Sequence, residues 1–206
     1  MNEINSINQI SLITLGESSV GKSSIINRYT ENVFNFSFVS TIGIDFKKKT
    51  IKIKDNDVTI KIWDTAGQEL YRTCQKQYYK NSDGILLIFD VTYMKSFVLL
   101  ESWITEIENE TSNDNVIVIV GNKIDLENRV IQDIDIEKFC ANKNYTFFTT
   151  SAATGENINE CFEYIINKAY ENKCQKLLNN NIDNNRITLS KSYSKKEIKN
   201  KNCCPF

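Results

Sequence analysis

The sequence contains no histidine, and this absence limits the chemistry open to the protein. Acid–base catalysis by an imidazole is excluded, and a structural zinc site is disfavoured because histidine is one of the usual zinc ligands. Six cysteines are present, but four are scattered along the chain and two adjoin each other near its end. They lack the spacing of a disulfide framework or of a metal site. Any catalysis must therefore use other groups.

Long apolar runs and a strong basic surplus are also missing. No apolar stretch reaches the length of a membrane-spanning helix, and residues 1–9 lack the basic and apolar regions of a signal peptide. We therefore expect a chain that begins and stays in the cytosol. The formal net charge of −1 argues against nucleic acid as a partner, because phosphate binding depends on a basic surplus.

Basic charge is concentrated near the end of the chain. Residues 173–206 hold eight basic and two acidic residues, which gives +6 and leaves −7 for the rest of the chain. Beyond residue 171 the apolar periodicity fades into Asn, Lys and Ser. We predict a flexible N-terminus over residues 1–9, one globular domain over 10–173 and a disordered tail over 174–206.

Short apolar, β-branched runs predict six strands, at residues 10–15, 42–53, 58–63, 84–91, 116–120 and 146–149. Amphipathic stretches of helical length lie between most of them, at residues 21–30, 70–80, 95–110, 133–142 and 157–172. Asp55-Asn56-Asp57 is expected to form a hairpin turn. The alternation predicts an α/β domain of three layers, with a six-stranded, mostly parallel sheet, one antiparallel strand and helices on both faces.

Residues 16–23, GESSVGKS, match the phosphate-binding pattern GxxxxGK[ST] between a predicted strand and a predicted helix. In this motif backbone N–H groups point at phosphates, and the helix N-terminus adds positive potential. Lys22 is expected to reach the outer phosphates and Ser23 to bind Mg²⁺. The alternative, a Gly/Ser turn with an exposed lysine, needs neither flanking element. The predicted nucleotide-binding residues here are Gly16, Ser18, Ser19, Val20, Gly21, Lys22, Ser23 and Ser24.

Asn122-Lys123-Ile124-Asp125 follows a predicted strand and bears on the choice of base. Asp125 can accept hydrogen bonds from N1–H and the exocyclic amine of guanine, a donor pair that adenine lacks. An isolated N-K-x-D is a weak signal, because a polar loop after a strand explains it equally well. Roughly a hundred residues after a phosphate loop, it indicates guanine. The backbone N–H groups of Ser151, Ala152 and Ala153 are expected to bind the guanine carbonyl oxygen.

A third set of residues fits a metal ion and a γ-phosphate. Asp64 suits a carboxylate near Mg²⁺, the Gly67 N–H can approach the γ-phosphate, and Gln68 can orient the attacking water. Thr41 would bind Mg²⁺ only when a γ-phosphate is present, so its loop is expected to order with GTP and loosen with GDP. Phe34 either covers the guanine or anchors its loop.

Together these motifs resemble the Ras superfamily and, within it, the Rab family of vesicle-trafficking GTPases. The resemblance spans about residues 10–173 and includes TIGIDFK at 41–47, KIWDTAGQE at 61–69, YYK at 78–80 and FDVT at 89–92. It implies a GTP/GDP switch that binds Mg²⁺, hydrolyses GTP to GDP and phosphate, and recruits effectors to membranes. Residues 41–47 look most like the secretory branch, although Glu17-Ser18 also occurs in endocytic members.

The resemblance also implies partners: an exchange factor (GEF), a GTPase-activating protein (GAP), a GDI-like escort and a prenyltransferase. Effectors are expected at residues Thr41 to Phe46 and Gln68 to Tyr79. Residues 32–41 hold no arginine, so the GAP is expected to supply the one that stabilises the transition state. The chain is expected to be monomeric and to cycle between the cytosol and the cytosolic face of intracellular membranes.

The sequence departs from the family pattern at three places. Ser19 stands where many relatives have glycine, and its side chain is expected to alter the pocket and slow hydrolysis. Leu70-Tyr71-Arg72-Thr73-Cys74 replaces Arg-Phe-Arg-Thr-Ile in a segment that partners contact. Ala153 replaces the lysine of the guanine loop, which is expected to loosen packing on the base.

The end of the sequence, Cys203-Cys204-Pro205-Phe206, has two interpretations. It can be a C-a-a-X site with one geranylgeranyl group on Cys203, or a Rab-type end with lipid on both Cys203 and Cys204. Pro205 fits an aliphatic position poorly, which favours the second. Two lipid chains anchor firmly, and the +6 tail adds attraction to anionic leaflets.

Two other functions share part of this pattern. A nucleoside-monophosphate kinase would have the phosphate loop, but it would be expected to carry an arginine-rich lid and to lack the N-K-x-D motif. The chain has few arginines. A pseudo-GTPase, which binds nucleotide without switching, is suggested by Ser19 and Ala153 and opposed by Gln68, Thr41 and Asp64.

Overall fold

The computed structural model describes residues 7–36, 41, 43–65, 77–111 and 115–199, with side chains through residue 179. A six-stranded sheet forms its centre, in the spatial order β2-β3-β1-β4-β5-β6. Only β2 and β3 pair in antiparallel fashion, so the predicted mostly parallel sheet is confirmed. The strands are β1 (Gln9–Leu15), β2 (Ile44–Ile53), β3 (Asn56–Thr65), β4 (Gly84–Asp90), β5 (Val116–Asn122) and β6 (Thr146–Thr150).

Helices cover both faces of this sheet. The stretch predicted as one helix over residues 95–110 forms two, separated by a turn at Leu99. The helix predicted over residues 70–80 lies mostly outside the described residues, of which 77–80 are helical. The helices are α1 (Lys22–Glu31), α2 (Met94–Val98), α3 (Leu100–Glu110), α4 (Asp133–Lys143) and α5 (Ile158–Lys199).

Helix α5 is longer than the apolar pattern predicts. It includes residues 174–199, for which the sequence predicts a disordered tail. Leu177 is the last described side chain to pack against the core, whereas Leu178 is 45% exposed. The division between domain and tail near residue 173 remains a prediction. In the part of the chain that the structure describes, no helix is both long and apolar enough to cross a membrane.

Successive side chains along each strand point to opposite faces of the sheet, where they belong to two separate hydrophobic cores. In β4, every residue is buried, as expected for a central parallel strand covered on both faces. Leu86 and Ile88 pack with α1 and α5, and Ile85, Leu87 and Phe89 pack with α3 and α4. The strands thus hold both helical layers in place, and the loops at their carboxyl ends meet at one edge of the sheet.

The hairpin turn between β2 and β3 lies one residue earlier than predicted. Ile53 pairs with Asn56, so Lys54 and Asp55 form a two-residue loop and Asp57 belongs to β3. Both loop residues have positive φ, 47° and 67°. These signs match the type I′ turn, whose twist suits that of the strands. The polar composition located the turn, but the strand register, which depends on side-chain burial, fixed which residues form it.

We predict that replacing Lys54-Asp55 by Asn-Gly stabilises the chain. Asn and Gly adopt left-handed backbone at a lower cost, so the free energy of unfolding should rise by about 1 kcal/mol. Urea unfolding would show a higher midpoint at an unchanged m value. Asp57→Gly is the control and should lower the midpoint, because glycine weakens a strand interior. A stabilising Asp57→Gly would contradict the assigned register.

Candidate functional site

A cavity of about 440 Å³ opens at the carboxyl ends of the strands, where doubly wound sheets bind ligands. It is bounded by the loops after β1, β5 and β6, by the start of α1 and by Thr41. Its lining residues are Ser18, Ser19, Gly21, Lys22, Ser23, Ser24, Asn27, Phe34, Asn35, Phe36, Thr41, Thr65, Asn122, Lys123, Asp125, Leu126, Ala152 and Ala153.

Most of the site residues predicted from the sequence line this cavity. Gly16, Val20, Asp64 and Ser151 were also predicted but do not line it. Gly67, Gln68, Cys203 and Cys204 lie outside the described residues. The sequence interpretation missed Asn27, Asn35, Phe36, Thr65 and Leu126. Thr65 stands within the KIWDTAGQE segment but was given no role, and the other four belong to none of the motifs that signalled the site.

The phosphate loop depends on close backbone packing at two glycines. Gly16 has φ 134°, and a Cβ there would lie 2.1 Å from the Ile88 carbonyl oxygen. Gly21 has φ 102°, and a Cβ there would lie 2.3 Å from Nδ2 of Asn122. Any side chain would push the loop away from β4 or from Asn122. The glycines therefore allow the loop to curl against the ends of the strands.

Lys22 places a buried positive charge at the base of the loop. Its ammonium group donates to the carbonyl oxygens of Gly16, at 3.0 Å, and of Glu17, at 2.7 Å. Burial lowers the pKa of Lys22 to about 8, while the charges of Asp64 and Glu17 act in the opposite direction. An anion in the cavity would favour the charged form, as phosphate oxygens would.

Three oxygen-bearing side chains near Lys22 fit a divalent cation. The Ser23 and Thr41 hydroxyl oxygens are 2.9 Å apart. The Oδ1 atom of Asp64 is buried and has no hydrogen-bond partner among the described residues. Burial raises the pKa of Asp64, opposed by a hydrogen bond from Ser23 and by the charge of Lys22. A cation beside this carboxylate would satisfy the unpaired oxygen.

The chemistry of these ligands favours Mg²⁺. Hydroxyl and carboxylate oxygens are hard ligands, and Mg²⁺ in nucleotide sites takes its remaining ligands from phosphate and water. Within the described ranges, no group of three His, Cys, Asp or Glu side chains could hold a metal by itself. A site with one carboxylate and two hydroxyls would therefore hold the cation together with a phosphate ligand.

Asn122 joins three loops through one buried side chain. Its amide nitrogen donates to the Val20 carbonyl oxygen at 2.9 Å, and its amide oxygen accepts from the Ala152 N–H at 3.2 Å. Asp125 accepts a 2.5 Å hydrogen bond from the Ser151 hydroxyl through one carboxylate oxygen. The exposed Asp125 carboxylate can still accept from a ligand. This arrangement places the Asp125 carboxylate, the predicted acceptor for a guanine edge, next to the backbone of residues 151–153.

Lys123 belongs to the loop after β5, and both its backbone and its ammonium group are held in place. Its backbone has a positive φ of 72°, and its ammonium group forms a 2.6 Å ion pair with the largely buried Asp90. The ion pair holds the loop after β5 against the end of β4. The aliphatic part of Lys123 is thereby left as one wall of the cavity.

Arg28 of α1 holds the guanine loop, and the sequence motifs did not signal this role. Its guanidinium group donates to the carbonyl oxygens of Ala152, at 2.8 Å, and Ala153, at 2.6 Å. It also donates to the backbone and side-chain oxygens of Asn32, each at 3.2 Å. Ala153 lacks the side chain that the family pattern provides, and Arg28 holds the backbone of this loop.

Phe34 lies at both the cavity and the core, so its anchoring contact is present and its contact with guanine stays a prediction. Its ring lines the cavity and also packs against the hydrophobic core under α1. Phe36 meets the Phe34 ring edge to face, with centroids 5.0 Å apart, and is 92% exposed. The loop is thus anchored by Phe34, while Phe36 extends the apolar wall outward.

A phosphate loop, a magnesium-type ligand set and an N-K-x-D loop on one mostly parallel sheet define a P-loop guanine-nucleotide-binding protein. The Ras family model matches residues 11–171. The chain is 39% identical to Ras-related protein Rab-18-B of Danio rerio over 182 residues, 88% of each chain. It is 40% identical to GTP-binding protein Rab-3D of Rattus norvegicus over 156 residues, 75% of this chain and 71% of the relative.

A plant protein gives a similar match. The chain is 37% identical to Ras-related protein Rab11B of Nicotiana tabacum over 168 residues, 81% of this chain and 77% of the relative. The chain therefore belongs to the Ras family, and within it to the Rab small GTPases, which hydrolyse GTP to GDP and phosphate. The family resemblance expected from the sequence motifs is confirmed.

We predict that Arg28→Ala accelerates the release of GDP about tenfold, because about 1.4 kcal/mol of support for the guanine loop is lost. Arg28→Lys retains the charge but not the forked geometry, so its effect should be intermediate. Release of a fluorescent GDP analogue measures both rates. Lys138→Ala, an exposed change on α4, is the control and should leave the rate unchanged. Equal rates for Arg28→Ala and the native chain would exclude this role.

We also predict that Ser19→Gly stabilises the chain. Ser19 has a left-handed backbone with φ 65°, which costs a serine about 1 kcal/mol relative to glycine. The midpoint of urea unfolding at fixed nucleotide concentration should rise accordingly. Ser18→Gly is the matched control, since Ser18 has no positive φ, and it should not stabilise. A gain with Ser18→Gly alone would show that strain at Ser19 is not the cause.

Proposed function

We propose that the chain is a GTP/GDP switch of vesicle trafficking that hydrolyses GTP slowly and recruits effectors to membranes in its GTP form. The observation that carries this proposal is the 2.9 Å contact between the hydroxyls of Ser23 and Thr41. It joins the phosphate loop to the segment before β2. A ligand that both hydroxyls hold couples nucleotide state to the position of that segment.

The roles of the described residues follow from their positions. The backbone of residues 16–23 and the Lys22 ammonium group bind the phosphates, and Asp125 with residues 151–153 binds the guanine. Ser23, Thr41 and Asp64 hold Mg²⁺, which neutralises developing charge on the phosphate oxygens. Gln68, outside the described residues, is assigned the orientation of the attacking water. These roles match those implied by the family pattern.

Slow intrinsic hydrolysis follows from the charges around the cavity. Its described lining contains Lys22 and Lys123 but no arginine, and Lys123 is paired with Asp90. Without an arginine near the γ-phosphate, turnover is expected on the order of 10⁻⁴ per second. A GAP would supply the missing charge, and a GEF would reset the switch by releasing GDP. A GAP that also donates a glutamine would reduce the importance of Gln68.

Membrane attachment is assigned to the end of the chain. Cys203 and Cys204 are the proposed sites of geranylgeranylation by a prenyltransferase, and a GDI-like escort would extract the lipidated GDP form. The +6 charge of residues 173–206 favours anionic cytosolic leaflets, whereas the −7 of the remainder opposes adsorption without lipid. The proposed location is the cytosolic face of endomembranes or vesicles, in exchange with the cytosol. Effectors would bind at residues 41–46 and 68–79.

The nucleotide that copurifies with the chain provides the first test. We predict stoichiometric guanine nucleotide, mostly GDP, released on denaturation and identified by ion-pair chromatography. Single-turnover hydrolysis should then proceed on the order of 10⁻⁴ per second, and Gln68→Leu should slow it further. Adenine nucleotide would overturn the proposal, and guanine nucleotide without hydrolysis would identify a pseudo-GTPase. A rate near 1 per second would contradict the need for a GAP.

A further inference from the structure

One face of the β2–β3 hairpin combines aromatic rings with lysines that pair with no carboxylate among the described residues. Because side chains alternate along strands, Phe46 and Lys48 of β2 share this face with Lys61 and Trp63 of β3. Phe46 lies opposite Trp63, with ring centroids 5.3 Å apart, and Phe46 is 41% exposed. We call this surface, formed by Phe46, Lys48, Lys61 and Trp63, the Lys48–Lys61 face. The Tyr78 ring borders it, 4.7 Å from Trp63.

The two lysines of this face lie directly opposite each other in the strand register. Opposed like charges in an antiparallel pair destabilise the sheet. Among the described residues neither lysine pairs with a carboxylate. By contrast, Lys52 lies opposite Asp57 further along the hairpin, so the charges there are matched. On this face of the hairpin, the unmatched positive charge therefore lies next to the aromatic rings.

The aromatic rings compensate part of this repulsion. The Lys61 ammonium nitrogen lies 3.7 Å from the Trp63 ring centroid and 4.2 Å from that of Phe46, and the Lys48 nitrogen lies 5.3 Å from the Phe46 ring. Such cation–π contacts attract a cation without neutralising it. Both ammonium groups thus lie beside an exposed apolar ring. A single carboxylate placed between them would relieve the repulsion.

We propose that the Lys48–Lys61 face binds a partner protein through a segment that presents an aspartate or glutamate beside an apolar side chain. The carboxylate pairs with Lys48 and Lys61, and the apolar side chain covers the Phe46 ring. This inference rests on the proposed function, since it specifies the chemistry of an effector. It requires the effector to carry a negative charge, because Lys48 and Lys61 of this chain lie on the hairpin surface that the effector would contact.

The charge distribution favours an acidic protein segment over a membrane. Residues 1–172 sum to −7, so an anionic bilayer would be repelled by most of the surface around this small basic patch. A short acidic segment contacts the patch alone. It also brings an apolar side chain to the exposed part of Phe46, which vesicle headgroups do not provide.

The test is selection of binding peptides by the full chain loaded with a non-hydrolysable GTP analogue. A phage-displayed library of random peptides is panned against the native chain and against Lys48→Glu/Lys61→Glu. The native chain should enrich peptides with Asp or Glu next to an aromatic or aliphatic residue. A synthetic copy of the best peptide should bind the double variant about tenfold more weakly or worse. Replacing its acidic residue by lysine should restore binding to the variant.

Lys95→Glu/Lys138→Glu is the control, because it makes the same change in net charge at two exposed lysines on helices α2 and α4, away from the hairpin. It should bind the peptide as the native chain does. Enrichment of uncharged or basic peptides, no enrichment, or equal loss in both double variants would overturn the proposal. So would binding of the unlipidated chain to anionic vesicles through Lys48 and Lys61 without any acidic peptide.

Chromatography of the bound nucleotide separates this test from that of the proposed function. A chain that holds guanine nucleotide but selects no acidic peptide contradicts only the partner chemistry. Absence of guanine nucleotide contradicts the proposed function. The peptide selection is then repeated with the chain as purified, and the same outcomes decide the partner chemistry. The melting temperature of each variant, measured with nucleotide bound, must match that of the native chain for its binding to be compared.

Discussion

The site depends on one buried amide, that of Asn122. Its two ends are hydrogen-bonded to the Val20 carbonyl and the Ala152 N–H, and a side chain at Gly21 would collide with it. A buried amide that loses a partner costs about 1–3 kcal/mol, so neither loop can move away freely. The phosphate end and the base end of the cavity are therefore held at a fixed separation. A nucleotide that reaches both ends benefits from loops that are already in position.

Other contacts around the cavity connect the loops held by Asn122 to the segments expected to change with the ligand. Arg28 ties the guanine loop to α1 and, through Asn32, to the chain that leads toward Thr41. Lys22 and Asp64 carry the unfavourable part, a buried cation and a carboxylate oxygen without a hydrogen-bond partner among the described residues. A ligand phosphate and a bound cation would satisfy both. Rigid support at the base end and unsatisfied charge at the phosphate end together favour tight binding of a nucleotide. The part of the chain expected to move when the nucleotide changes is then the segment near Thr41.

Local patterns predicted the fold and the motif residues, because each motif sits between a strand and a helix that its own neighbours specify. They could not predict Arg28, whose partners lie 124 and 125 residues away and carry no side-chain signal. Nor could they place the hairpin loop at Lys54 and Asp55, since register depends on which side chains the other strands bury. Phe34 was ambiguous because its ring meets both the core and the cavity, a fact of packing rather than of pattern.

The lysines of β2 have a second effect, because β2 lies at an edge of the sheet. β2 is one of the two edge strands of the sheet and is ten residues long, with its outer backbone groups facing away from β3. An exposed edge of that length invites pairing with another copy, and lysines along it oppose such pairing. The strand carries Lys47, Lys48, Lys49 and Lys52. During synthesis and in a crowded cell, the same residues would keep the chain from aggregating through its sheet edge.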